Sequence, residues 1–398
     1  MTMAGNQVKG FSFATAAAGI KQTQRPDCAL IFSDIPAACA GVFTRNQVVA
    51  APLQLTRPRV LQGKCQAVLV NSGNANACTG AAGLEAARQN GRTLAAELGI
   101  AEELIALAST GVIGVQLPGA RLDAVVPHLV KERSADKAAA VAEAIMTTDM
   151  FSKTSVARLQ TPGQSATILG IAKGAGMIHP NMATMLGFVL TDANIGAQLL
   201  QSCLQIAVEQ SFNSITVDGD TSTNDMVLLL ANGQAGEGEI LPQTPAAEDF
   251  QLQLNTVLLE LAKMIVRDGE GATKLVQIHV RGARSTAEAK EAARSVATSS
   301  LVKTAFFGED ANWGRIIAAL GYSNAEVDAQ RVDIFFDQVQ VVSAGLGTGP
   351  EQELLATEVL RRKEFRVTLD LHLGAGSSDY YTSDLTYEYI KINADYRT

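Results

Sequence analysis

Histidine, tryptophan, positive charge and long apolar runs are all scarce in this chain of 398 residues. The four histidines, His128, His179, His279 and His372, stand apart with no H-E-x-x-H and no ligand spacing, so no metal is expected. No apolar run approaches the roughly 18 residues that a membrane helix needs. The opening MTMAGNQVKG has no basic region followed by an apolar core, so no secretory signal is expected. The five cysteines, Cys28, Cys39, Cys65, Cys78 and Cys203, are odd in number and lack C-x-x-C spacing. Buried free thiols in a reducing cytoplasm fit that pattern better than disulfides or zinc. Lys and Arg number 32 against 40 Asp and Glu, a net charge of −8. With a pI near 5.2, nucleic acid and anionic membrane are poor candidates for the main partner. Nucleotide fingerprints are missing too. GLGTGP (Gly345–Pro350) lacks the third glycine of G-x-G-x-x-G, and EGATK (Glu270–Lys274) resembles only the end of a phosphate loop.

What is present is apolar substance. A hydrophobic content of 47% and a mean hydropathy of +0.12 describe a packed globular protein. Its length exceeds the roughly 150 residues of an average domain, so one large or two medium domains are expected. Short apolar runs alternate with helical patterns, without internal repeats. Strands are expected at Gln66–Gly73, Leu104–Thr110, Ala166–Ala172 and Met226–Asn232, and helices at Leu84–Leu98 and Ile195–Gln210. Between Ala246 and Val266, Phe250, Leu254, Val257, Leu258, Leu261 and Ile265 share one face of an amphipathic helix. Four later segments, KLVQIHVRG, VDIFFDQVQVV, EFRVTLDLHLG and DLTYEYIKIN, alternate with period two and read as longer strands, the last carrying Asn393. Helices against mixed or antiparallel strands make an α+β layered fold. Gly233–Pro245, polar and rich in glycine, is the clearest linker.

The segment KGAGMIHPNMATML (Lys173–Leu186) bears the most chemistry. A lone threonine, Thr184, follows a turn-forming stretch and precedes the buried strand pattern LGFVLTDA. A hydroxyl is a weak nucleophile unless a base is held against it. Cutting the chain before the threonine would supply one, its own α-amino group, with a pKa near ~8. The Thr184 hydroxyl would attack the Ala183 carbonyl, moving the acyl group from nitrogen to oxygen, and water would hydrolyse the ester.

Other blocks follow in order: NSGNANACTG (Asn71–Gly80), STGVIG (Ser109–Gly114), MTTD (Met146–Asp149), FNSITVDGDTSTND (Phe212–Asp225), DGEGATK (Asp268–Lys274), NWGRI (Asn312–Ile316) and INADYRT (Ile392–Thr398). Together with the cleavage segment they resemble the ornithine acetyltransferase, or glutamate N-acetyltransferase, family of arginine biosynthesis over nearly the whole chain. The resemblance implies an α–β–β–α sandwich, distantly like N-terminal-nucleophile hydrolases, cut into residues 1–183 and 184–398. It implies Thr184 as nucleophile, and an oxyanion hole formed by the Thr110 hydroxyl and the Gly111 amide. The implied substrate contacts are Thr147 or Thr148, Lys173, Thr184, Glu270, Asn393 and Thr398. Taken from local sequence alone, the Thr110–Gly111 turn reads as an ordinary strand end and Thr147 and Thr148 as caps at the end of a Val141–Met146 helix, whereas Lys173 and Glu270 fit loop charges and the carboxylate and ammonium of an amino-acid substrate equally well.

The activity implied is transfer of an acetyl group from N²-acetyl-L-ornithine to L-glutamate by a ping-pong route through an acyl-enzyme. No metal or cofactor is implied, although some members also draw the acetyl group from acetyl-CoA. The implied assembly is α₂β₂, in the cytoplasm. Two other readings stay open at this point: an N-terminal-nucleophile aminopeptidase of the same fold, and an uncut, non-catalytic binding protein.

Overall fold

The computed structural model describes residues 7–23, 25–161, 163, 165–179, 185–236 and 238–395. In chain order the first half runs β1 (Phe11–Ala16), β2 (Cys28–Phe43), α1 (Ala51–Val60), β3 (Lys64–Asn74), α2 (Gly80–Leu98), β4 (Ile105–Val112), α3 (Gly119–Lys131) and α4 (Ala138–Ala144). It continues with β5 (Lys153–Arg158), β6 (Thr167–Lys173), β7 (Leu186–Thr191), α5 (Ala197–Glu209), β8 (Ile215–Thr216), β9 (Met226–Ala231) and α6 (Pro245–Arg267). The remainder is β10 (Leu275–Ala283), α7 (Thr286–Thr298), α8 (Ser300–Phe307), α9 (Trp313–Gly321), β11 (Asp333–Phe336), β12 (Val339–Ser343), β13 (Leu346–Gly347), α10 (Pro350–Leu360), β14 (Glu364–Asp370), β15 (Gly376–Ser383) and α11 (Tyr387–Asp395).

The first sheet has the order β4-β3-β2-β9-β7-β6-β5, with β1 also on β2. Strand β2 folds this sheet into two layers. Its first half pairs with β1 and β3, whereas Ala38–Phe43 pairs with β9. Between the halves, Asp34, Ile35 and Pro36 are exposed and the register with β3 shifts. Pro36 has no N–H to give a ladder, so the strand can leave one layer and enter the other there. Side chains then sort by period two. Val68, Val70, Ala106 and Ala108 face Ile171, Phe188, Leu228 and Leu230 in the core between the layers. Ala67, Leu69, Ile105 and Leu107 point outward onto Leu94 of α2 and Leu122 and Val126 of α3. Ile168, Val189 and Leu229 point outward onto Leu204 of α5 and Leu254, Leu258 and Leu261 of α6. The result is an α–β–β–α sandwich.

Strands β6 and β7 are antiparallel neighbours with Lys173 opposite Leu186, so the chain before residue 183 and the chain after 184 share one sheet. The second sheet, β13-β12-β11-β14-β10-β15-β8, buries Val276, Ile278, Val367, Leu369 and Tyr380 against α7, α8, α9 and α10. Helix α6 links the two units, because Ile215 of β8 and Tyr381 of β15 join its cluster. Among the described residues no helix is long and apolar enough to cross a membrane.

Four expectations need correction. Residues 332–342 form a hairpin, β11 and β12, broken by Asp337 at φ +50°, instead of one strand. DLTYEYIKIN is mostly helix α11, not a strand. The Thr386 hydroxyl accepts the Tyr389 N–H at 3.3 Å as a cap, and no residue of the helix is buried, so its apolar spacing records no packing face. Gly233–Pro245 joins β9 to α6 within one sandwich, and its Ile240 is buried and bridged to Ile195, so it separates no domains. The five cysteines are free, but Cys78 is exposed.

Candidate active site

At one end of the sandwich the C-terminal ends of β4 and β6, one from each layer, converge on a cavity of about 220 Å³. Thr110, Gly111, Thr147, Thr148, Lys173, Glu270 and Asn393 all line it. Ala183, Thr184 and Thr398 lie outside the described residues.

Lys173 ends β6 and is buried. Its ammonium donates to the Thr110 hydroxyl at 3.1 Å and the Thr147 hydroxyl at 2.9 Å. Burial pulls the Lys173 pKa down from its ordinary value, while Asp149 opposes that by favouring the charged form. Because each hydroxyl oxygen accepts from the ammonium, each hydroxyl proton is left to donate into the cavity, and polarisation by the cation strengthens it as a donor.

Gly111 sits at φ +130°, and a Cβ there would come within 2.3 Å of the Gly73 carbonyl carbon. Only glycine allows the tip of β4 to press against β3, and that contact fixes where the turn after Thr110 points. The NSGNANACTG block braces it. Asn74 accepts the Asn76 N–H at 2.8 Å, the Thr79 hydroxyl donates to Asn76 at 2.7 Å, and the Ser109 hydroxyl donates to Asn71 at 2.6 Å. From the FNSITVDGDTSTND block, Asn224 donates to the carbonyls of Ala75 at 2.6 Å and Ser109 at 2.8 Å.

Thr147 and Thr148 occupy the turn after α4, which stops at Ala144, short of the expected Met146. Neither hydroxyl caps that helix; the turn is held by buried Asp149. This carboxylate accepts the N–H groups of Thr147 at 2.9 Å and Gly174 at 2.6 Å, and the Lys153 ammonium at 2.8 Å. Burial alone would raise the Asp149 pKa, but Lys173 and Lys153 outweigh it and hold the group well below the usual carboxylate range. Lys153, fully buried, also pairs with Asp268.

Glu270 enters from the turn after α6, its N–H bonded to the Ala175 carbonyl at 2.9 Å. Its carboxylate accepts from Asn393 of α11 at 2.9 Å. A Cβ on Gly176 would fall 2.4 Å from the Glu270 carboxyl carbon, so Gly176 makes the room that this carboxylate fills.

The connection from β6 toward residue 184 is pinned over its described length. Asp218, partly buried and with its pKa raised by desolvation, accepts the N–H groups of Met177 at 2.6 Å and Ile178 at 2.8 Å. The Ile178 carbonyl accepts the Val217 N–H at 2.7 Å. On the far side, buried Met185 accepts the Met226 N–H at 3.1 Å, and Leu186 pairs with Lys173. His179 meets the Thr216 hydroxyl at 3.3 Å.

Asp149, Asp218 and Asn224 were not singled out in the sequence, although each lies in a quoted block. Among the described residues no group of three or more His, Cys, Asp or Glu could hold a metal ion.

Hydroxyl donors, a buried ammonium and a glycine-framed turn at the mouth of such a sandwich suit an enzyme that moves acyl groups. The comparisons agree with that class. Residues 12–398 match the ArgJ family, and the chain belongs to it. It is 60% identical over 394 residues to the arginine biosynthesis bifunctional protein ArgJ of Syntrophotalea carbinolica, covering 98% of this chain and 100% of that one. It is 54% identical to the Geobacter sulfurreducens protein of the same name, over 98% and 100% of the two chains. A crystal structure of the arginine biosynthesis bifunctional protein ArgJ from Bacillus halodurans, 44% identical, superposes with a TM-score of 0.52 over 54% of this chain and 100% of that chain. The chain is thus an acyltransferase.

Proposed function

We propose that this enzyme transfers an acetyl group from N²-acetyl-L-ornithine to L-glutamate through an acetyl ester on Thr184. In this reading the chain first cuts itself between Ala183 and Thr184. The freed α-amino group then takes the proton of the Thr184 hydroxyl as that oxygen attacks the donor amide, and gives it to the departing ornithine. Glutamate reverses the sequence and leaves as N-acetyl-L-glutamate, so kinetics are ping-pong. Acetyl-CoA serves as a second donor to the same threonine.

The observation that carries the reading is the convergence of seven motif residues, from positions 110 to 393, on one cavity beside the β6–β7 connection. Within it, the Thr110 hydroxyl and Gly111 amide stabilise the oxyanion, a contribution typically worth ~10²–10³ in rate. Lys173 and Thr147 bind the substrate carboxylate, while Glu270, held by Asn393, binds its ammonium. Thr148 and the terminal Thr398 complete the substrate contacts.

Two facts support self-cleavage. The Bacillus halodurans chain aligns in full with only 54% of this one, the share that residues 184–398 make up. The sheet would also keep both fragments joined. The mature unit is placed in the cytoplasm as α₂β₂.

Thr184→Val keeps the side-chain shape and removes the oxygen. The variant should run as one uncut band and exchange no acetyl between acetylornithine and glutamate. A Thr184→Val variant that still turns over would overturn the proposal, as would wild-type enzyme that releases acetate at the same rate with or without glutamate.

A further inference from the structure

A second cavity, about 720 Å³, meets the first at Thr147, which lines both. Gly73 on its wall is paired with Gly111 of the first cavity, so only this strand pair and the Thr147 turn divide the two. The smaller space suits one amino-acid derivative; acetylornithine and glutamate, bound in turn, leave the larger one unused.

Its lining is that of a site. Lys21 and Arg25 reach it from the loop before β2, while Met150 (85% exposed) and Phe151 (42% exposed) form an apolar rim. The Lys21 loop is built in place. Fully buried Asp27 accepts the N–H groups of Ala18 at 2.6 Å, Ile20 at 2.6 Å and Lys21 at 3.0 Å. The Lys21 ammonium donates to the Ala144 carbonyl at 3.1 Å and the Pro26 carbonyl at 3.4 Å, contacts that fix it without cancelling its charge. Arg25 has no carboxylate partner among the described residues. Asp27 and Asp149 lie close enough to Lys21 to favour its charged form, each already held by other partners, and exposed Glu143 is the carboxylate on the wall nearest the open side. Large solvent-exposed apolar side chains beside the exposed Arg25 guanidinium and a Lys21 held in place mark a ligand surface more than a packing face.

Resting on the acyl-enzyme reading above, we infer that this second cavity binds the phosphate-bearing body of a thioester acyl donor of the acetyl-CoA class. Lys21 and Arg25 hold its phosphates, Met150 and Phe151 cover its apolar parts, and the thioester passes Thr147 into the first cavity. There the Thr184 oxygen bonds to the acetyl carbon as the carbon–sulfur bond breaks. The hydroxyl proton moves to the α-amino group and then to the departing thiolate, releasing the free thiol.

The test compares three acetyl donors with glutamate as acceptor: acetyl-CoA, the phosphate-free thioester S-acetyl-N-acetylcysteamine, and N²-acetyl-L-ornithine. In the double variant Lys21→Ala, Arg25→Ala, kcat/KM for acetyl-CoA should fall by about tenfold or more, through KM. The other two donors should stay within about twofold of wild type. Arg25→Gln alone, at an exposed position, should raise KM for acetyl-CoA in the same direction without disturbing the fold. An equal loss with both thioesters, or no loss with acetyl-CoA, would overturn the assignment. So would a wild-type enzyme that turns acetylornithine over but takes nothing from acetyl-CoA, and that result would leave the proposed exchange standing.

Discussion

Asp149 ties the Thr147 turn, the first residue after β6 and two buried lysines to a single carboxylate, and its replacement separates two effects. Lys153 keeps Asp268 when Asp149 becomes Asn, so the loss should sit near the lower end for a broken buried ion pair, about 3 kcal/mol by urea unfolding at neutral pH. The pH dependence follows from the direction of its shift. A carboxylate held below its unfolded value contributes fully above about pH 4 and loses that contribution as pH falls through its folded pKa. The Asp149→Asn variant should therefore lose less stability than wild type over that acid range. Catalysis responds at the other end. Removing the anion that favours charged Lys173 lowers its pKa further, so the alkaline limb of kcat/KM should move to lower pH. An alkaline limb that stays in place would show that Lys173 does not act as a cation in turnover.

Helix α11 makes the corresponding argument for an element. It buries none of its residues, yet Asn393 bonds to Glu270, and Tyr387 meets Phe307 edge-on with ring centroids 5.5 Å apart. Stopping the chain after Thr386 should cost under about 1 kcal/mol of stability, since no core residue is lost. It should raise KM for the amino-acid substrates by tenfold or more, as Glu270 loses its positioning partner. A truncated enzyme with unchanged KM would remove the helix from the site. The same helix explains a misreading. Leu385, Tyr387 and Tyr389 alternate with polar residues as a strand would, but an exposed helix imposes no period on its sequence. The β11–β12 hairpin was missed because the turn residues Asp337 and Gln338 carry no glycine or proline and read, beside Asp333 and Gln340, as further polar positions of one alternating strand. Strands β3, β4, β6, β7 and β9 were legible because burial on both faces leaves them uniformly apolar. The threonines, lysine and glutamate that line the cavity were legible through long motifs. Asp149, Asp218 and Asn224 were not, because a polar residue that braces a loop looks in sequence like one facing water.

In the whole molecule, the sandwich explains how a cut chain could remain one protein. Strands β6 and β7 are paired from Ile168–Thr191 to Lys173–Leu186, and β7 is further paired with β9. The two layers were implied by family resemblance alone, since alternation does not show that β2 crosses between them at Pro36. A cut enzyme should therefore elute as one species in native size-exclusion chromatography and separate into two bands only in denaturant. Fragments that part without denaturant would contradict the shared sheet. The most direct test of the central claim is the intact mass of purified enzyme incubated with N²-acetyl-L-ornithine and no acceptor. The account predicts two fragments divided between Ala183 and Thr184, with about 42 Da added to the one that begins at Thr184. A single uncut chain that never gains an acetyl group would contradict it.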